Sequence, residues 1–205
     1  YFYNMVIEFY KYQGTGNDFI IIDDRKNVFN SNNNALIAAL CSRKIGIGAD
    51  GLILLRKHKT MDFEMIYFNS DGKESSMCGN GGRCIIAFAK LLEIIEEETL
   101  FLAVDGKHKG KIIGDNIALE MQDVTKIKKL GDGLMLDTGS PHFVTIVDDL
   151  DTLDIKSNGK KIRNSAVFKK DGINVNFIEF NQHFKVRTYE RGVEAETLSC
   201  GTGVV

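Results

Sequence analysis

No stretch of this 205-residue sequence stays apolar for the roughly 20 positions that a membrane-spanning helix needs. The opening Tyr1-Phe2-Tyr3-Asn4 has none of the basic region, apolar stretch or small-residue cleavage site of a signal peptide, and Met5 reads as a natural start. The formal net charge of −2 gives no electrostatic reason for a nucleic acid or an anionic membrane as partner. No Cys-x-x-Cys pair occurs, and the four histidines show no ligand spacing. A zinc site is therefore not expected, and no metal is assigned. These absences point to a cytoplasmic protein with free thiols in a reducing compartment.

What is present is ordinary in bulk: 43% hydrophobic and 26% charged residues, with enough length to bury a full core in one or two domains. The four cysteines, Cys41, Cys78, Cys84 and Cys200, divide into two kinds. Cys41 and Cys84 read as small buried hydrophobes. Cys78 and Cys200 each stand directly before Gly-x-Gly, in Met77-Cys78-Gly79-Asn80-Gly81-Gly82-Arg83-Cys84 and Ser199-Cys200-Gly201-Thr202-Gly203. Both follow a strand-like run and a polar turn.

The pairing extends beyond the cysteines. Thr15-Gly16-Asn17-Asp18-Phe19 matches Thr138-Gly139-Ser140-Pro141-His142-Phe143, and the segment around Gly46 matches that around Gly172. Three matches in the same order at nearly constant offset indicate an internal duplication. The expected fold class is α/β (α+β): two pseudo-symmetric lobes facing each other, residues 1–122 carrying Cys78 and residues 123–205 carrying Cys200. The chain stops at Val205, where a counterpart of the helix after Cys78 should begin, so the second lobe is expected to lack its final elements.

Along the chain, strands are expected over residues 6–10, 19–22, 51–56, 100–104, 111–113, 117–121, 134–138, 143–147, 173–180 and 185–189, with a turn at 13–17. Helices are expected over 35–42 and 79–98, the second closing in an acidic, solvated end at Glu93, Glu96, Glu97 and Glu98. The Asn-rich residues 30–34 read as an exposed loop ending in a helix cap. Residues 123–130 read as the crossing between lobes. His58, His108 and His183 read as surface residues.

A cysteine at the entry to a helix sits beside backbone N–H groups that have no internal partner and carry partial positive charge. Such groups stabilise a thiolate or bind a carboxylate, and glycine lets a ligand approach the backbone. Gly79-Asn80-Gly81 and Gly201-Thr202-Gly203 are therefore expected to hold one substrate carboxylate, with Cys78 and Cys200 flanking its α-carbon. Inverting that carbon requires one proton removed from one face and one added to the other. A thiolate and a thiol serve both directions by exchanging roles as general base and acid.

Gly14-Thr15-Gly16-Asn17-Asp18-Phe19, Phe68-Asn69-Ser70-Asp71-Gly72, the segment from Met77 to Cys84, Asn174-Val175-Asn176-Phe177, Tyr189-Glu190-Arg191-Gly192 and Ser199-Cys200-Gly201-Thr202-Gly203 closely resemble diaminopimelate epimerase, over essentially the whole chain from residue 6. The resemblance implies lobes in which a mixed or antiparallel sheet wraps a central helix, with the active site in the interlobe cleft. It implies an epimerase acting between LL- and meso-diaminopimelate in lysine and peptidoglycan precursor synthesis. No cofactor is implied, pyridoxal phosphate included; the partners the resemblance leaves room for are a small-molecule substrate and a second copy in a homodimer. Position by position, it makes Cys78 and Cys200 the acid/base thiols. Asn17, Asn69, Asn174 and Arg191 would hold the distal amino-carboxylate end, and the backbone at Gly79, Asn80, Gly201 and Thr202 the reacting carboxylate. Glu190 and His142 would stand beside the reacting centre. An arginine suits the distal site because its guanidinium fork grips a carboxylate with two hydrogen bonds. The chain departs from many members at Ser140, where Asn is common, and at Gly51, where some have Gln.

Other readings compete. The asparagines also suit plain turns, Glu190 and Arg191 also suit a surface ion pair, and His142 also suits a donor to a backbone carbonyl. Proline racemase and hydroxyproline epimerase share the paired thiols, but their small cyclic substrates offer nothing for Asn69, Asn174 and Arg191, and proline racemases carry His in place of Asn80. A thiol redox protein would use Cys78 and Cys200 but has no need of two Gly-x-Gly clamps. A catalytically inactive binding lobe is the remaining reading.

Overall fold

Runs such as Phe19-Ile20-Ile21-Ile22 and Leu52-Ile53-Leu54-Leu55 bury every residue only in strands covered on both faces. The computed structural model, which describes residues 6–205, builds its first half around them; Met5 lies outside the described residues. The chain divides into two compact units, one of residues up to Gly14 with Asp18–Glu120, the other of Thr15–Asn17 with Met121–Val205.

In the first unit β1 (Tyr10–Gly14), β2 (Asn17–Asp23), β3 (Gly51–Arg56), β4 (Phe63–Asn69), β5 (Glu98–Ala103), β6 (Gly106–Ile113) and β7 (Asn116–Leu119) form one seven-stranded sheet in chain order. β2 and β3 pair in parallel, with helix α1 (Asn34–Cys41) between them in sequence. β4 and β5 also run parallel, joined through α2 (Gly79–Leu91), while β3 with β4, β5 with β6 and β6 with β7 pair antiparallel. α2 packs against β1 and β7, the two ends of the sheet, as well as against β3, β4 and β6. The sheet therefore curls around it. Phe19, Ile21, Ile53 and Leu55 point to Ile85, Phe88 and Ala89 of α2. Ile20, Ile22, Leu52 and Leu54 point the other way, to Ile37 and Cys41 of α1. The double-sided burial is why these two strands carry no polar alternation.

Several local expectations need correction. The first strand runs over Tyr10–Gly14 rather than residues 6–10, because Tyr10 and Tyr12 alternate inward, their ring centroids 4.9 and 5.9 Å from that of Phe88. α2 ends at Leu91 rather than Glu98: Glu93 takes a positive φ of 55°, outside helical space, and Glu98 opens β5. The acidic residues thus lie in a turn and a strand, and the helix dipole is irrelevant to them. His108 is no surface residue. It is buried on the inner side of β6, stacked on Phe101, with its ring nitrogens 2.9 Å from Asp105 Oδ1 and 3.0 Å from the Glu120 carbonyl. Asn33 caps α1 as expected, its side chain accepting from Leu36 N–H at 3.0 Å.

The second unit holds β8 (Ile127–Leu130), β9 (Gly133–Asp137), β10 (Pro141–Ile146), β11 (Asn174–Phe180), β12 (Phe184–Glu190) and β13 (Ala195–Thr197), in the sheet order β13-β12-β11-β10-β9-β8. Residues 127–130, expected in a crossing, are thus an edge strand. A helix not expected from the sequence, α3 (Ile155–Arg163), connects the parallel pair β10 and β11 and packs on β11, β12 and β13. Gly159 lets it lie close: a Cβ there would fall 2.4 Å from Tyr189 Cβ. The core gathers Phe143, Ile155, Phe168, Val175, Phe177 and Tyr189.

The duplication is visible in topology. Strand, helix, parallel strand and antiparallel strand recur as β2-α1-β3-β4 and as β10-α3-β11-β12. In each unit a Gly-x-Gly turn follows the cysteine. It opens α2 in the first unit and a single 3-10 turn, Gly201–Gly203, in the second. Among the described residues no helix is long and apolar enough to cross a membrane.

Candidate active site

β4 delivers the chain to the start of α2 through a tight turn at Asn69. The Gly72 N–H donates to the Asn69 carbonyl at 2.9 Å and the Asn69 N–H to the Lys73 carbonyl at 2.9 Å. Gly72 is fixed here, since its φ is 83° and a Cβ would lie 2.1 Å from the Asn34 carbonyl oxygen. Across the sheet Asn69 faces Gly51, where a Cβ would lie 2.5 Å from both the Phe68 carbonyl oxygen and Tyr67 Cε2. Gly51 is therefore a packing requirement beside Asn69.

Cys78 occupies the N-cap position of α2 in extended backbone, φ −119° and ψ 115°, and its carbonyl accepts the Gly82 N–H at 2.8 Å. Gly79, Asn80, Gly81 and Gly82 are all buried. Arg83 fastens this turn, donating to the Gly79 carbonyl at 3.2 Å and to Asn80 Oδ1 at 2.5 Å. The helix thus presents its first N–H groups, the positive end of its dipole, beside a partly exposed thiol.

In the second unit Cys200 is also an N-cap, with φ −117° and ψ 103°. Around it stands a buried polar network drawn from β10, β11 and the 3-10 turn. His142 Nε2 lies 2.9 Å from Thr202 Oγ1, Cys200 Sγ 3.5 Å from the same oxygen, and His142 Nδ1 3.4 Å from Asn176 Oδ1. The Thr138 hydroxyl donates to the Thr202 carbonyl at 2.6 Å, and Asn176 Nδ2 to the Gly203 carbonyl at 2.9 Å. Asn174 donates from Nδ2 to Ser140 Oγ at 2.9 Å, and its Oδ1 accepts the Arg191 N–H at 3.0 Å. Burial depresses the His142 pKa to about 4 despite its hydrogen bond to Asn176, so the ring is neutral at physiological pH. Glu190 Oε1 accepts from the Thr197 hydroxyl at 2.9 Å. A groove of about 550 Å³ lined by Thr188, Thr197, Leu198, Ser199 and Val204 reaches Cys200.

Of the residues singled out from sequence, the first unit brings Cys78, Gly79 and Asn80 together at one helix start, with Asn69 at the end of β4. The second joins Ser140, His142, Asn174, Arg191, Cys200 and Thr202 through hydrogen bonds. Gly201 stands in the same 3-10 turn as Thr202. Asn17 opens β2, and Thr15–Asn17 cluster with the second unit. Asn176 was overlooked. The cue was its two-residue spacing from Asn174, which in a strand puts both on one face while Val175 and Phe177 enter the core. Cys41 and Cys84 are buried, and burial pushes both thiols up to about 11, away from acid/base use near neutrality. Among the described residues no group of three or more His, Cys, Asp or Glu side chains is arranged to hold a metal ion.

Comparison with known proteins identifies the family. The family model described as diaminopimelate epimerase matches residues 9–127 and 134–205. A diaminopimelate epimerase of Flavobacterium psychrophilum is 52% identical over 200 residues, covering 96% of this chain and 78% of that protein. One from Chlorobaculum tepidum is 43% identical over 205 residues, covering 94% and 78%. Among solved structures, a phenazine biosynthesis protein of the PhzF family from Bacillus anthracis superposes with a TM-score of 0.71 at 15% identity, over 97% of this chain and 77% of that one. A hydroxyproline epimerase from Agrobacterium vitis, with bound trans-4-hydroxy-L-proline, gives 0.69 at 12% identity, over 98% and 75%. These two share the fold. The chain belongs to the diaminopimelate epimerase family.

Proposed function

We propose that this chain interconverts LL- and meso-diaminopimelate by moving a proton at the α-carbon, with Cys78 and Cys200 as the two bases. The observation that carries the reading is the repeated presentation of a thiol: each cysteine caps a Gly-x-Gly turn in nearly the same backbone conformation. Membership of the family supplies the substrate class. One thiol, as thiolate, takes the α-proton while the other delivers one to the opposite face. N–H groups at Gly79, Asn80, Gly201 and Thr202 bind the adjacent carboxylate as negative charge spreads onto it. A pKa near the operating pH matters more for such groups than nucleophilicity, which suits a thiol better than a serine hydroxyl.

The distal amino-carboxylate end falls to Asn17, Asn69 and Arg191, with Asn174 seating the Arg191 backbone through its carbonyl and Ser140 through its amide. His142, held neutral, and Glu190 serve the α-amino group. Two bases suffice, and the reading calls for no cofactor. It places the protein in the cytoplasm, where the thiols stay reduced, and its product feeds lysine and peptidoglycan precursor synthesis.

The reading is tested by incubating the reduced protein with LL-diaminopimelate in deuterated water and following products by mass spectrometry and chiral chromatography. Meso product carrying one α-deuterium is expected. Exchange into proline or hydroxyproline, with none into diaminopimelate, overturns the substrate assignment.

A further inference from the structure

The hydrogen bonds around Cys200 have a direction that two backbone groups determine. The Gly203 carbonyl can only accept, so the Asn176 atom facing it at 2.9 Å is the amide nitrogen, and Asn176 turns its oxygen to His142 Nδ1. The Arg191 N–H can only donate, so the Asn174 atom facing it at 3.0 Å is the amide oxygen, and Asn174 turns its nitrogen to Ser140 and, at 3.4 Å, to His142 Nε2. Both sides therefore demand the same tautomer of a neutral ring, with the proton on Nδ1 and a lone pair on Nε2. Thr202 Oγ1 lies 2.9 Å from that lone pair and must give it its single proton. Toward Cys200 Sγ, 3.5 Å away, the hydroxyl oxygen has only a lone pair to offer.

We propose that the Thr202 hydroxyl is a positioning group, acting as a one-way relay that accepts the Cys200 S–H while donating to His142, and so holds Cys200 as the protonated partner of the thiol pair in the substrate-free chain. This rests on the two-base reading above. When Cys200 gives up its proton, the hydroxyl can support the thiolate only by leaving His142, whose buried Nε2 then keeps just the longer Asn174 contact. The network thus favours the thiol and draws Cys200 back to it after each turnover. Gly203 makes room for the arrangement: a Cβ there would lie 2.9 Å from Asn176 Nδ2 and 3.3 Å from Cys200 Sγ. Asn176, two residues along the strand from Asn174, becomes a positioning residue that acts through His142.

The test reads protons rather than turnover. Infrared difference spectra between the wild type and Cys200→Ala, at neutral pH and without substrate, isolate the Cys200 S–H stretch. A band is expected, moved to higher frequency in Thr202→Val, where the bond is lost, and back in place in Thr202→Ser. Nitrogen-15 NMR of the His142 ring in the wild type is expected to show the proton on Nδ1. Absence of the Cys200 band, a band unmoved in Thr202→Val, or a proton on Nε2 overturns the proposal. The tautomer decides even if Thr202→Val fails to fold. Neither readout involves diaminopimelate, so loss of the epimerase assignment would leave them standing, and their failure would leave that assignment untouched.

Discussion

Cys78 and Cys200 adopt one backbone conformation, φ/ψ of −119°/115° and −117°/103°, each as the residue before a Gly-x-Gly turn in its own unit. In neither place does the cysteine side chain cap the turn that follows it. Duplicated topology would reproduce the strands anyway. Reproduction of the cap geometry extends the duplication from the strands to the turns that carry the two cysteines.

The glycine opposite Asn69 is a packing constraint with a measurable cost. Gly51→Ala places a methyl group 2.5 Å from the Phe68 carbonyl oxygen and from the Tyr67 ring, and a backbone oxygen in the middle of a sheet yields little. A destabilisation of about 1–3 kcal/mol is expected for such overpacking, read as a lower denaturant midpoint at unchanged m-value. An unchanged midpoint would show that the β3–β4 pair relaxes freely.

Phe88 anchors the wrapping of the first sheet, buried completely and touching Tyr10 and Tyr12 of the edge strand. Phe88→Ala is expected to cost about 3–5 kcal/mol, with hydrogen exchange at β1 rising more than at β3. Equal loosening of both strands would mean that β1 is not held chiefly by this ring.

The two buried histidines respond to pH in opposite directions. Burial opposes charging of His108, but the Asp105 carboxylate and the Glu120 carbonyl outweigh it and raise the pKa above 6.5. Its contribution to stability is complete below about pH 6.5 and fades as pH rises through the raised folded value. Asp105→Asn should flatten that alkaline-side loss in a plot of unfolding free energy against pH. An unchanged slope would contradict the pairing.

His142 behaves conversely. Burial holds its folded pKa near 4, below the unfolded value of 6.5. Between those values the unfolded chain binds more protons, so stability rises with pH across this window and is lost as pH falls toward 4. His142→Gln should remove that part of the acid-side slope. A slope identical to the wild type would show that the ring is not buried neutral.

Much of this was legible in the residues, and the exceptions have physical causes. The double-sided runs of β2 and β3 and the Asn33 cap announce themselves because burial and capping restrict residue type strongly. α3 does not: in Ile155-Lys156-Ser157-Asn158-Gly159-Lys160-Lys161-Ile162-Arg163 only Ile155 and Gly159 are buried, too few for a helical period to show. Its Asp154 cap, accepting from Ser157 N–H at 3.0 Å, was the readable cue. His108 was hidden by Lys107 and Lys109, yet that alternation is the period-2 signature of a strand with His108 and Gly110 inward. The end of α2 escaped because Leu92 and Ile94 continue an apolar pattern past the point where Glu93 leaves helical space. The Cys200 network was partly visible, in Ser140, His142, Asn174 and Thr202. Asn176 was not, because an asparagine between valine and phenylalanine looks like part of a strand rather than part of a site.

The central claim is that both thiols are needed for inversion. Cys78→Ser and Cys200→Ser, each checked for native folding and assayed separately with LL-diaminopimelate in deuterated water, test it most directly. Serine is too weakly acidic to replace either thiol, so the account predicts that neither variant yields meso product at more than a trace of the wild-type rate. Near-normal epimerisation by either variant would contradict the two-base scheme.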